Sequence, residues 1–111
     1  MEISAGRIVW APVLDPNEKN LKVRPLVVVE APKEDRFAAV AVTTSIEPFD
    51  EQTCVRLPWH RDEHPRTKLR SKCIARCDWV VRLNVADISH TGGTVPEFIL
   101  NAIFDRLPKE M

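Results

Sequence analysis

Arg76 and Asp78, an arginine and a carboxylate two positions apart, are the residues whose types and spacing best suit chemistry. They lie in KCIARCDW, residues 72–79, which has apolar residues, no helical period and no helix breaker, so a strand is predicted. Because side chains alternate between the faces of a strand, the pair shares one face, about 6–7 Å apart along it. Ala75 and Cys77 then point toward a core. The pair is either a surface ion pair or a catalytic pair.

Other polar and aromatic residues could complete such a site, although each also has an ordinary structural explanation. Arg24 stands at the start of a predicted strand, where it could simply cap a loop. Thr44 and Ser45 end another strand, where hydroxyl side chains commonly make a turn. Trp59 and Trp79 could stack on an unpaired nucleic-acid base, whereas a tryptophan in a small barrel usually belongs to the core.

Two further chemistries are suggested by residue type alone. His60 and His64, followed by Cys73 and Cys77, superficially offer four zinc ligands. On a strand, however, these cysteines lie about 13 Å apart, while ligands of one zinc ion lie within about 4 Å of each other. We therefore predict buried free thiols and no metal. A nucleophilic enzyme built on Cys77 or Ser45 is disfavoured because no local motif places a base beside either residue.

The composition limits the class of protein. The chain has 111 residues, 44% hydrophobic and 29% charged, which predicts one globular domain over residues 1–111. Its formal net charge is zero, so any nucleic-acid site must be a local patch. No apolar run approaches the roughly 20 residues of a membrane helix, and no signal segment is present, so we predict a cytoplasmic protein. Three cysteines argue against a disulfide framework.

The elements that position these residues are mostly short strands joined by turns. LVVVEA at 26–31 is continuously apolar and β-branched, which predicts a central strand buried on both faces. Short connections between neighbouring strands favour antiparallel hairpins. The predicted strands are 6–11, 26–31, 37–44, 54–59 and 72–79 with an extended continuation at 80–85, and the predicted turns and loops are 12–23 with a turn at 15–17 and Arg24–Pro25 at its end, 32–35, 46–53, a mobile surface loop at 60–69, and 89–93.

One helix is predicted near the C-terminus. Thr94 and Glu97 have the spacing of a capping box, with Pro96 tolerated in the first turn and Pro108 as the stop. An apolar stripe follows at Ile99, Leu100, Ile103, Phe104 and Leu107. Five or more strands and one packed helix predict a small, partly open β-barrel capped by that helix.

The ordered motifs resemble the PemK/Kid/MazF toxins, the ribonuclease halves of bacterial toxin–antitoxin pairs. The motifs are GRIVW, RPLVVVE, VTTS, RCD and VPEFILNAIFDRL, and they run in order from Gly6 to Leu107. The resemblance implies an SH3-like barrel with a C-terminal helix, a homodimer, and an antitoxin partner whose tail covers the active groove. It also implies cleavage of single-stranded RNA without metal or cofactor, through attack of the ribose 2′-hydroxyl on the adjacent phosphate.

The resemblance assigns roles to individual residues. Asp78 would be the base that takes the 2′-hydroxyl proton, and Arg76 the acid or the phosphate stabiliser. Arg24 would hold the phosphate through its fork of donors, and Thr44 and Ser45 would line the site. The strand pattern alone places Arg76 and Asp78 on one face. The position of Arg24 and Thr44 beside them is implied only by the resemblance.

The sequence also departs from the family. The first loop, DPNEKNLKV, lacks the family's glycines and the histidine of the Kid branch, for which His60 or His64 could substitute. Thr43 replaces the proline before the hydroxyl pair, and Trp79 replaces the glutamine that follows the aspartate. The alternative is therefore a non-catalytic binding protein on the same barrel. A CcdB-like, gyrase-directed toxin is the weaker form, because the chain ends PKEM rather than in Trp-Gly-Ile.

Overall fold

Six antiparallel strands and one C-terminal helix make up the computed structural model, which describes residues 3–14, 19–45 and 49–108. The sheet curls into a half-barrel with the strand order β4-β5-β3-β2-β1-β6. This architecture confirms the predicted partly open β-barrel with a terminal helix. The elements are β1 (Arg7–Leu14), β2 (Leu21–Lys33), β3 (Arg36–Thr43), β4 (Cys54–Arg56), β5 (Ile74–Asn84), a 3₁₀ turn (Val85–Asp87), β6 (His90–Thr94) and α1 (Glu97–Arg106).

The apolar centre of β2 lies between two cores, as its continuous β-branched run predicted. Leu26, Val27 and Val28 are completely buried, and β2 pairs antiparallel with β1 on one side and β3 on the other. Even-numbered and odd-numbered positions of this run face different cores. The helix-side core contains Ile8, Val27, Val40, Ala75, Cys77, Ile99 and Ile103, and the opposite core contains Val9, Leu26, Val28, Phe37, Ala39 and Ala41.

The beginning of β2 differs from the sequence prediction. Arg24 and Pro25 do not end a loop but lie inside a strand that begins at Leu21, with Pro25 opposite Trp10 of β1. Pairing of β2 with β3 starts only at Leu26, so the missing N–H of Pro25 interrupts no ladder on that side. The turn predicted at 15–17 and part of the loop predicted at 46–53 lie outside the described residues.

The predicted turn at 89–93 is wrong, since His90–Thr94 forms β6 and pairs with β1. Two adjacent glycines suggested a turn, but they serve close backbone approach instead. A Cβ atom on Gly93 would lie 1.3 Å from the Arg66 carbonyl oxygen. The missing side chains therefore let the segment before β5 pack directly on β6.

Helix α1 forms where predicted but begins differently. Its N-cap is Pro96 without a side-chain hydrogen bond, and Thr94 belongs to β6, where its N–H donates to the Arg66 carbonyl. Ile99 and Ile103 are buried, while Phe104 of the predicted stripe is 41% exposed. No helix in the described part of the chain is long and apolar enough to cross a membrane.

The segment predicted as a mobile surface loop, 60–69, is irregular but firmly packed at two positions. Thr67 is completely buried, and Leu69 is 5% exposed in the helix-side core. The Thr67 hydroxyl donates to the Pro58 carbonyl and accepts the Leu69 N–H. One polar side chain thus satisfies two loop backbone groups, an arrangement that hydrophobic periodicity does not detect.

Candidate active site

Arg76 and Asp78 form a bidentate ion pair on β5. Arg76 Nε lies 3.1 Å from Asp78 Oδ1, and Nη2 lies 3.1 Å from Oδ2. The hydrogen bond from Arg76 lowers the pKa of Asp78, and the hydrogen bond to Asp78 raises the pKa of Arg76. Both groups are therefore ionised at neutral pH. The predicted placement on one strand face is confirmed, with Ala75 and Cys77 buried on the other.

The pair lies beside an irregularity in the sheet. Ala41 of β3 pairs with Arg76, whereas the preceding Val40 pairs with Val80, so the register shifts between them. Such a bulge bends a strand and re-aims its side chains. On its other side Arg76 is opposite Cys54 of β4. Arg76 is thus paired across the sheet with two small residues.

Arg24 reaches the same region from β2. Its guanidinium carbon lies 5.3 Å from the centre of the Trp79 ring, which is the geometry of a cation–π contact. Arg24 and Leu26 are two positions apart on β2 and so share one face of the strand. Leu26 belongs to the core opposite the helix, and Trp79 packs against that same core. Arg24, Trp79 and the Arg76–Asp78 pair therefore share the sheet face away from α1. The Arg24 Nε is buried without a hydrogen-bond partner among the described residues.

A cavity of about 660 Å³ opens next to Arg24. Its floor includes Trp10, Val42, Leu69 and Cys73, all from the helix-side core or packed against it. Its volume falls within the range of small-molecule sites, roughly 300–1,000 Å³. The polar and charged lining consists of Lys22, Arg24, Thr43, Thr44, Glu63, Lys68, Arg70, Ser71, His90 and Thr91.

The charge of this cavity is strongly biased. Four of its lining residues are lysine or arginine, and Glu63 is the sole carboxylate among the lining residues. Glu63 is occupied, since its Oε2 lies 2.8 Å from Arg70 Nη2 and its Oε1 lies 3.5 Å from Lys68 Nζ. The Arg70 hydrogen bond lowers the pKa of Glu63. In a chain of zero net charge, the cavity lining therefore contains more cationic than anionic residues.

Two aromatic residues missed by the sequence prediction face this cavity. Trp10 of β1 and His90 of β6 are paired directly across the sheet, and their rings stack with centroids 4.5 Å apart and planes inclined by 12°. Trp10 is half-buried and His90 is exposed. His90 lay in the segment mistaken for a turn. Only the β1–β6 register could have shown that it meets Trp10.

The predicted site residues fall into two groups. Arg24 and Thr44 line the cavity, whereas Arg76 and Asp78 do not. Trp79 connects the groups through its contact with Arg24. The remaining candidate, Ser45, is exposed and outside the cavity lining, and its backbone N–H binds the Thr43 hydroxyl.

The histidines considered for zinc accept backbone hydrogen bonds, and the cysteines are buried. His60 Nδ1 accepts the Asp62 N–H, and His64 Nδ1 accepts the N–H groups of Arg66 and Thr67. The three cysteines are buried free thiols. Within the described ranges, no group of three or more His, Cys, Asp or Glu side chains could hold a metal ion.

Three solved structures have a fold similar to that of this chain. A MazE–MazF structure from Deinococcus radiodurans aligns with a TM-score of 0.70 and 17% identity, over 96% of this chain and 93% of that one. The chain has a MazF-like fold. An endoribonuclease in complex with its cognate antitoxin from a mycobacterial species gives a TM-score of 0.66 and 17% identity, over 93% and 88% of the two chains. The Mycobacterium tuberculosis toxin MazF-mt6 gives 0.63 and 15%, over 91% of each chain.

At the level of the fold, this likeness confirms the resemblance expected from the ordered motifs, and the half-barrel sheet with one C-terminal helix agrees with the expected barrel. No protein-family model matches the sequence. No curated protein matches it either. At 15–17% identity, the shared MazF-like fold is a likeness of backbone, so the activity must be argued from this chain's own residues.

Proposed function

We propose that this protein is a toxin-type endoribonuclease that cleaves single-stranded RNA by attack of the ribose 2′-hydroxyl on the adjacent phosphate. The observation that carries the proposal is the shared sheet face of Arg24, Trp79, Arg76 and Asp78 on a MazF-like fold. The reaction needs a base for the 2′-hydroxyl, donors for the phosphate, and a proton for the leaving 5′-oxygen. No metal is required for these three tasks.

Asp78 is the proposed base, and Arg76 is the proposed phosphate stabiliser. The bidentate pair holds the pKa of Asp78 below and that of Arg76 above the usual values. An arginine that holds its proton this firmly is a poor acid but a good donor to a phosphate. In this proposal, therefore, water protonates the leaving 5′-oxygen. In the proposed complex the phosphate takes over the Arg76 donors. Asp78 then loses its strongest partner, its pKa rises, and it becomes a better base.

Arg24 is the proposed second phosphate ligand, and Thr44 and Ser45 the proposed lining of the site. Contact with Trp79 restrains the Arg24 guanidinium, while its buried Nε retains an unused donor among the described residues. Buried donors without partners call for a physical explanation, and a bound phosphate oxygen would supply it. Trp79 itself would contact RNA at the edge of this face.

The likeness to a toxin seen with its cognate antitoxin supports a further part of the proposal. The partner would be an antitoxin protein that covers the RNA-binding groove. The toxin would act in the cytoplasm as a homodimer. Light scattering of the purified chain alone, and with the product of the neighbouring reading frame, measures both assemblies.

The proposed cleavage is tested with mixed-sequence single-stranded RNA in the presence of a metal chelator. We expect fragments with a 5′-hydroxyl, which accept a labelled phosphate from a polynucleotide kinase, and a 2′,3′-cyclic phosphate at the other end. Asp78→Ala should reduce the rate about 10²–10⁴-fold, the usual contribution of a positioned general base. The cleavage rate of Arg76→Lys should also fall sharply, because lysine keeps the charge but lacks the paired donors of a guanidinium.

Arg82→Ala is the matched control, since Arg82 lies on the same strand and pairs loosely with Glu30 at 3.9 Å. This variant should cleave like the wild type. Intact RNA after incubation with folded protein would refute the proposal, as would equal rates for the wild type and the Arg76→Ala/Asp78→Ala double variant.

A non-catalytic binding protein is the second candidate, and one observation favours it. Arg76 and Asp78 satisfy each other and lie outside the lining of the 660 Å³ cavity. In that case the face serves an antitoxin or another protein partner. RNA titration separates the candidates, because binding that falls steeply with salt indicates phosphate contacts, and no RNA binding at all indicates a surface for protein alone.

A further inference from the structure

We infer that the Trp10–His90 stack is a platform for one unpaired base of the RNA, and that the cations of the same cavity hold the phosphate beside that base. The inference rests on the proposed function for the choice of RNA as ligand. It assigns a nucleotide subsite to the helix side of the sheet, distinct from the face that carries Arg76 and Asp78. Arg24, which lines the cavity and also contacts Trp79, joins the two.

The stack has the geometry that a base requires. The Trp10 and His90 rings are nearly parallel, with an inclination of 12° and centroids 4.5 Å apart. Direct cross-strand pairing fixes both residues in the sheet. The exposed member, His90, is the outer ring. A flat base would extend the stack on that ring, as bases do on aromatic side chains in single-strand binders.

The backbone behind the stack is adapted to it. Gly92 lies so close to Trp10 that a Cβ atom there would be 2.6 Å from the indole ring. Any side chain at this position would push the indole out of its place. A glycine in a strand usually weakens it and is expected where another group approaches closely. A glycine at position 92 therefore leaves the space that the Trp10 indole occupies.

The surrounding charges select an anionic ligand. Lys68 and Arg70 line the cavity from the loop before β5, and Lys22 and Arg24 line it from β2, at strand positions on the same face as Leu26. Hydroxyl groups of Thr43 and Thr44 lie in the same lining. A planar ring beside several cations matches a nucleotide, which combines a π-face with a phosphate. An acidic peptide would use the cations but leave the ring face without a flat partner.

The inference is tested by binding rather than by cleavage. In a Trp59→Phe/Trp79→Phe background, Trp10 is the single tryptophan, so its fluorescence reports on the cavity alone. Adenosine 5′-monophosphate should quench it, and ribose 5-phosphate, which lacks the base, should bind without comparable quenching. His90→Ala should weaken binding of the monophosphate about 5- to 150-fold, the usual range for loss of one base stack.

Two variants keep the test specific. His90→Phe retains a flat ring and should preserve most of the affinity. Phe98→Ala removes an aromatic residue that is 70% exposed on α1 and lies outside the cavity lining, so its affinity should equal that of the background protein. Equal affinities for adenosine 5′-monophosphate and ribose 5-phosphate, or no effect of His90→Ala in a folded protein, would overturn the inference.

A non-cleavable 2′-O-methylated RNA hexamer separates this inference from the proposed function. If the hexamer quenches Trp10 and binding depends on His90 while unmodified RNA stays intact, the subsite stands and the ribonuclease proposal fails. If unmodified RNA is cleaved while neither the hexamer nor the monophosphate depends on His90, the ribonuclease stands and the subsite fails.

Discussion

Asp78 accepts two hydrogen bonds from Arg76, each 3.1 Å long, so that the base and the phosphate donor proposed for cleavage are each other's partners in the free protein. The pair is accessible, with 36% of the Arg76 and 44% of the Asp78 side chain exposed. An anion can therefore reach Arg76 without unfolding the sheet. In the proposed mechanism, a phosphate competes with the Asp78 carboxylate for the Arg76 donors.

The pairing makes the contribution of Asp78 to stability dependent on pH. The folded-state pKa of Asp78 lies below its ordinary value of 3.8, so the stabilisation is present above that value and is lost as the pH falls through the folded-state pKa. Because the groups are more than a third exposed, we expect Asp78→Asn to cost less than about 1 kcal/mol near neutral pH. Urea unfolding at neutral and strongly acidic pH measures the difference.

A double-mutant cycle with Arg76→Ala isolates the pair from other effects of either substitution. The coupling free energy should be favourable at neutral pH and vanish in strong acid. A coupling that stays constant across this range would show that the interaction does not depend on the charge of the Asp78 carboxylate.

Glu63 is predicted to restrain RNA binding. Its carboxylate forms ion pairs with Arg70 and Lys68 in the cavity, so in the proposed complex RNA competes with Glu63 for both cations. Glu63→Gln removes that competitor and should tighten binding of single-stranded RNA several-fold. The slope of log affinity against log salt should also steepen, since each additional phosphate contact contributes about −0.7 for a single strand.

Asp62→Asn provides the matched control for Glu63. Asp62 belongs to the same loop and also contacts an arginine, Arg61 at 3.9 Å, but it does not line the cavity. Asp62→Asn removes the same charge from the same segment as Glu63→Gln, so both variants change the general electrostatic attraction of RNA equally. If both variants gain the same affinity, the effect of Glu63 is one of net charge and not of its ion pairs.

Cys73 and Cys77 are predicted to be inert thiols in the folded protein. Burial raises the pKa of Cys73 to about 11 and that of Cys77 to about 12, and the thiolate is the reactive form. Iodoacetamide at neutral pH should therefore label neither in the native state and both in denaturant, as read by peptide mass spectrometry. Rapid native labelling of either would contradict the buried placement.

The raised pKa values of Cys73 and Cys77 also make the stability of the fold depend on alkaline pH. The folded state binds these two thiol protons more tightly than the unfolded chain, whose thiols have the ordinary value of 9.0. Stability is therefore complete below about that pH and declines as the pH rises toward the folded-state values. Cys73→Ala/Cys77→Ala should lose this decline along with some core packing.

Local patterns were sufficient for the strand face of Arg76 and Asp78 and for the double burial of β2. Both follow from alternation within one segment, which does not depend on what the segment pairs with. The sequence at Thr94 has the pattern of a capping box, but the box does not form. The Thr94 N–H that Glu97 would bind instead donates to the Arg66 carbonyl. A strand hydrogen bond thus overrode a helix-start signal.

The cavity could not be predicted because its lining is assembled from distant segments. Trp10 meets His90 only through the β1–β6 register, and Lys68 enters through a loop with no periodic signal. Lys68 and Glu63 have left-handed backbone conformations, with φ of 67° and 77°, which sequence patterns do not indicate for these residue types. The fold was therefore predictable in outline, while the site depends on long-range geometry.

Substitution of Gly93 by alanine, which adds a single methyl group, is predicted to lower the free energy of unfolding substantially. Its N–H donates to the Thr67 carbonyl, and a Cβ atom there would overlap the Arg66 carbonyl group, which is backbone and cannot rotate away. Gly93→Ala must push the loop off β6 and expose Thr67 and Leu69, so we expect a loss of about 2–4 kcal/mol in urea unfolding. Ser89→Ala, at an exposed position just before β6, should change stability by less than about 0.5 kcal/mol. A Gly93→Ala protein as stable as that control would mean that the loop and β6 are not in backbone contact.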